Sequence, residues 1–158
     1  MCAMRSQAPG DGGACFSNPS LRQVRRLPFE GASGAVARSR TFIRNTLHSY
    51  GWSGSDDEQV VVLSDDVLLV AVELVTNACL HAGGPVELRV VRTPELIRIE
   101  VDDRSEEAPQ ARAPHSGTRP GGHGLHIIRR LTLDWGTVVH RGAGKTVWVD
   151  MPVPEHMR

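Results

Sequence analysis

The chain has 158 residues, with 18 basic against 18 acidic side chains and three cysteines. That length suits one domain with a single core that needs no staples. The charge balance argues against a nucleic-acid or membrane surface, and Cys2, Cys15 and Cys79 stand in no metal-binding spacing.

No apolar run approaches the roughly 20 residues of a membrane span. The N-terminus lacks the hydrophobic region of a signal peptide. The expectation is a soluble, cytoplasmic protein with reduced thiols, Cys79 acting as a small core residue. Residues 1–22 hold Pro9, Gly10, Gly12, Gly13 and Pro19 with few apolar groups and read as a disordered tail. The domain then occupies 23–153.

A short strand is expected around Val24 to Phe29. A helix follows from Ser33, with Val36, Phe42, Ile43 and Leu47 as apolar positions and Gly51 near its end. Ser53 to Gln59 reads as a polar, acidic connection. Asp65 to His81 reads as one helix that is apolar around almost its whole circumference, so it must pack on more than one side. Glu73, Asn77 and His81 recur at intervals of four and share one stripe, with Thr76 beside them.

A solvent-facing stripe is the plain reading. Against it, no Lys or Arg occurs between Arg44 and Arg89, whereas Asp56, Asp57, Glu58, Asp65, Asp66, Glu73 and Glu87 all do. Ordinary solvated faces mix both signs. An acid and a carboxamide one turn apart, with no basic neighbour, suit a hard cation that takes oxygen ligands.

Gly83-Gly84-Pro85 stops the helix. Val86 to Arg92 and Leu96 to Asp103 alternate around a hairpin at Thr93-Pro94-Glu95. In the second strand Ile97, Ile99 and Val101 share one face, and one more step of that period brings Asp103, not Asp102, to it. A carboxylate aimed inward is costly without a partner.

Arg104 to Pro120 has no periodicity and reads as a lid or a disordered insert. It ends in Gly121-Gly122-His123-Gly124-Leu125, where glycines enter an apolar helix. Free N–H groups and close backbone approach suit phosphate there, although such glycines are often only a turn. Trp135 to Met151 reads as two strands turning at Arg141-Gly-Ala-Gly144. Gly144-Lys145-Thr146 is not a P-loop, because it opens an alternating strand and Val139 stands where the first glycine belongs. His81, His115, His123 and His126 lie on different elements, which argues against zinc. His81 reads instead as closing a pocket by hydrogen bonding. Trp52, Trp135 and Trp148 read as core or interface aromatics.

These segments together carry a resemblance. Glu73-Leu-Val-Thr-Asn77-Ala with His81-Ala82, the inward Asp103, the long loop, Gly122-His-Gly124-Leu125 and Gly144-x-Thr146 follow the order of boxes in the Bergerat-fold ATPases. That superfamily includes gyrase and the histidine kinases. Val101-x-Asp103-x-Ser105 with Pro109, and Gly144-Lys-Thr-Val-Trp148, resemble its single-domain branch, typified by anti-sigma-factor serine kinases. Ser105 and Glu107 stand where many members carry glycine.

The resemblance implies an α+β two-layer sandwich, a mixed sheet covered on one face by three helices. It implies ATP and Mg²⁺ as ligands. Asn77 would hold the metal and Glu73 would act as general base. Asp103 would accept from the exocyclic amine of adenine, Thr146 would support that base, and Gly122, Gly124 and Leu125 would line the triphosphate. The implied activity is phosphorylation of a serine on an antagonist of an anti-sigma factor. That antagonist and a sigma factor would be its protein partners, with a homodimer left open. The alternative is an ATP-binding module that sequesters a partner without catalysis.

Overall fold

Two tight hairpins organise the sheet. The computed structural model describes residues 22–107, 128 and 130–158. Its strands are β1 (Gln23–Pro28), β2 (Pro85–Arg92), β3 (Leu96–Asp103), β4 (Asp134–His140) and β5 (Gly144–Pro152), in the order β1-β2-β3-β5-β4. Helices α1 (Ala35–Ser49) and α2 (Glu58–His81) back one face.

The α+β two-layer sandwich is therefore present. The described sheet is antiparallel at every pairing rather than mixed. β2–β3 and β4–β5 are joined by short turns, and such turns can only link antiparallel strands. Of the third expected helix, Ile128, Arg130 and Leu131 are helical. The rest of it lies outside the described residues, as does nearly all of the expected tail and most of the expected lid. Among the described residues no helix is long and apolar enough to cross a membrane.

The inner face of the sheet is β-branched and aliphatic, as a half-buried pleated surface favours. Leu88, Val90, Ile97, Ile99, Val101, Val149 and Met151 are buried there against Val67, Val70, Ala71, Leu74, Val75 and Ala78 of α2. The buried stripe of α1 is Ala35, Ser39, Ile43, Thr46 and Leu47, while Val36 and Phe42 are only half-buried. Ser39 can enter the core because its Oγ donates to the Ala35 carbonyl at 2.7 Å, inside its own helix. The helix closes on Gly51 at φ 75°, with Gly51 N–H on His48 O and Trp52 N–H on Leu47 O. That is the left-handed glycine stop for which such a φ is needed.

α2 begins at Glu58, ahead of the expected Asp65. Asp57 caps it, accepting from the Gln59 N–H at 2.9 Å, a contact worth about 1 kcal/mol. The same carboxylate meets His156 Nε2 at 2.7 Å, which ties down the C-terminal 3-10 turn Glu155–Met157. α2 is not buried all round. α1 takes one side and the sheet another, leaving Val61, Val62, Leu69 and Leu80 exposed. Cys79 packs at the edge of the core, and burial pushes its thiol pKa up.

Gly144 is required by its neighbours. A Cβ there would strike the Asp103 carbonyl oxygen and come within 2.7 Å of Arg104 Cα, and its φ of 90° suits only glycine. Gly144→Ala should lower the urea unfolding free energy by more than about 1 kcal/mol. A midpoint equal to wild type would show that β5 can slide away from Asp103.

Candidate functional site

The end of α2 and the end of β3 meet through three residues. From His81 the chain passes Ala82, Gly83 and Gly84 to Pro85, and Pro85 pairs with Asp103. Gly83 at φ 71° turns the chain, and the N–H groups of Ala82 and Gly84 both donate to Ala78 O at 3.0 Å. A Cβ on Gly84 would lie 2.6 Å from the backbone nitrogen of Ala32, so glycine lets this connection press against the segment before α1. The topology thus brings the C-terminal turns of α2 and the carboxylate of Asp103 to one edge of the sandwich.

Asp103 is only 3% exposed and faces inward, as strand parity predicts. It is not alone. Lys145, its partner across β3–β5, lies on the same face and is itself buried. Lys145 Nζ donates to Asp103 Oδ1 at 2.9 Å and to the Ser105 carbonyl at 3.2 Å. The Ser105 N–H donates to the same Oδ1 at 2.8 Å. Ser105 Oγ in turn accepts from the Glu107 N–H at 3.2 Å. Side-chain turns thus hold the chain after β3.

On α2, Glu73 and Asn77 are half-buried and His81 is exposed. No described residue makes a hydrogen bond or ion pair with any of these three side chains. Glu73 and Asn77 are about 6 Å apart along the axis. A carboxamide oxygen on this face with a carboxylate one turn away suits a hard cation. Among the described residues no three His, Cys, Asp or Glu side chains converge on a metal position. Gly122, Gly124 and Leu125 lie outside the described residues, as do His115, His123 and His126.

Thr146 lies elsewhere. It pairs with Asp102 and so belongs to the outer face of the sheet, away from Asp103. Its Oγ1 donates to Asp102 Oδ1 at 2.6 Å. With that proton committed, His140 Nε2 at 2.8 Å is the donor to Thr146. The expected support of a base by the Thr146 side chain does not fit this placement; the residue that shares the face of Asp103 is Lys145. Sequence reasoning did not bring Lys145 to Asp103. The signal was present, since Lys145, Val147, Val149 and Met151 follow one parity.

The outer face is laced by ions. Arg89 grips Asp102 through two bonds of 2.6 and 2.9 Å and reaches Glu100 at 2.7 Å and Glu87 at 2.9 Å. Burial by itself would lower the Arg89 pKa, but these hydrogen bonds outweigh it and hold it well above the ordinary value. Arg98 is raised by its two bonds to Asp150 against the opposing effect of burial, and it stacks 4.5 Å over Trp148. Gly136 sits opposite, where a Cβ would hit the Trp148 ring. A cavity of about 390 Å³ lies at the N-terminal end of α2, lined by Leu63, Asp66, Leu131 and Met151 among others, and touches none of the polar stripe.

The described residues thus form a two-layer sandwich with an inward Asp at the end of β3 and a Glu–Asn pair on α2. A family model described as the histidine kinase-like ATPase domain matches residues 29–151. The chain belongs to that family, and its membership supports ATP binding. No curated protein matches the chain.

Proposed function

We propose that this protein is a Mg-ATP-dependent serine kinase of the anti-sigma-factor type, acting in the cytoplasm on an antagonist protein. The observation that carries the proposal is Glu73 and Asn77 one turn apart on the helix α2, whose end leads through three residues to Pro85, the strand partner of Asp103. In this reading Asp103 takes the exocyclic amine of adenine. The Asn77 carbonyl would hold Mg²⁺, which would supply charge neutralisation at the phosphates. Glu73 accepts the proton of a partner's serine hydroxyl. The serine oxygen then bonds to the γ-phosphorus, and the bond to ADP breaks with its electron pair leaving on ADP. His81, exposed at the end of the helix, closes over the nucleotide in this reading.

A sequestering module is the second reading, and one observation favours it. Glu73 has no hydrogen-bond partner among the described residues to aim it, and catalysis by a general base depends on such aim. The two are separated by incubating the protein and its co-purifying partner with γ-labelled ATP, with and without EDTA. The expected result is Mg-dependent label on a partner serine. ATP binding without label transfer would favour sequestration; no binding at all would remove Asp103 and Asn77 from a nucleotide site.

A further inference from the structure

A lone carboxylate offers a base only acceptors, and Asp103 is not alone. Its Oδ1 is fully engaged by Lys145 Nζ and the Ser105 N–H, whereas Oδ2 takes no hydrogen bond from any described residue. An ammonium has three N–H donors. Two are accounted for, by Asp103 Oδ1 and the Ser105 carbonyl, and no described residue takes the third. Both groups are more than nine-tenths buried, and both sit on the inner face of adjacent strands. The pair therefore presents one acceptor oxygen and one N–H donor side by side. An adenine presents the complement along one edge: the exocyclic amine as donor and ring nitrogen N1, next to it, as acceptor.

We propose that Lys145 is a base-reading residue, donating its third N–H to N1 of adenine while Asp103 Oδ2 accepts from the exocyclic amine. This rests on the assignment of Asp103 to the base. It adds a direct cationic donor where the sequence suggested only support from Thr146, whose hydroxyl belongs to the other face. It also gives the buried lysine a role besides neutralising its neighbour, a role that a hydrophobic replacement could not supply.

The test is calorimetric titration of the full chain with Mg-ATP and with Mg-1-deaza-ATP, in which N1 is replaced by C–H. Wild type is compared with Lys145→Met, whose fold is checked by circular dichroism. Wild type should bind the deaza analogue about ten- to a hundredfold more weakly than ATP, the loss expected for a hydrogen bond to a charged donor. Lys145→Met should bind both weakly and without preference. Equal affinities in wild type would overturn the proposal and leave ATP binding itself intact, as would a full ATP preference retained in Lys145→Met. Failure of wild type to bind either nucleotide would remove the Asp103 assignment and this proposal together. Should the variant not fold, the two wild-type titrations decide alone.

Discussion

Glu73→Gln should hold Mg-ATP about as tightly as wild type, yet transfer phosphate to a partner serine about 10²- to 10⁴-fold more slowly. The side chain is half-buried and bonded to no described residue, so a nearly isosteric amide removes no hydrogen bond or ion pair among the described residues. Stability should change by less than about 0.5 kcal/mol. Any loss of turnover then belongs to the lost base and not to the scaffold. The helix around it would, if buried all round, make an ionised Glu73 expensive and its presence telling. With the residue half-exposed that expense is small, and what speaks for catalysis is its position one turn from Asn77. Single-turnover transfer from labelled ATP decides the matter. Transfer as fast as wild type would remove Glu73 as the base, and no transfer by either protein would assign the chain to sequestration.

Asp103→Asn should cost about 3–5 kcal/mol of unfolding free energy and weaken ATP as well. The sequence alone suggests a variant with its fold intact, because Asp103 reads as a carboxylate waiting for a ligand. The buried Lys145 changes that expectation: with Asn at 103 its ammonium, at 5% exposure, loses the opposite charge and keeps only neutral carbonyl acceptors among the described residues. Removing one member of a buried pair strands the other. Asp102→Asn is the control. Asp102 has 26% of its side chain exposed and belongs to the Arg89 network on the outer face, so its loss should cost less and leave ATP affinity unchanged. Urea unfolding followed by calorimetry reads both quantities. Equal destabilisation by the two changes would mean that the Lys145–Asp103 pair is more hydrated than its burial indicates.

What the sequence by itself determined was local. Period two along Leu96–Asp103 chose the inward carboxylate, because side chains alternate whatever strand lies alongside. Gly51 and Gly83-Gly84-Pro85 marked where helices stop, because left-handed backbone at a helix end is a glycine property. The spacing of Glu73, Asn77 and His81 placed them on one stripe from helical geometry alone.

Tertiary structure decided what those residues face. Register between β3 and β5 put Lys145 against Asp103 and Thr146 against Asp102, and a slip of one residue would have set Thr146 or Gly144 against Asp103 instead. That register is held by contacts between residues far apart in the chain, such as Arg98 with Asp150 and the backbone of Asp103 against Gly144. Likewise the apolar circumference of α2 could not say which side stays open. The docking of α1 left Leu69 and Leu80 outside, and with them a half-exposed Glu73. Burial depends on which surfaces meet, and the local pattern of a helix or strand carries only half of that information.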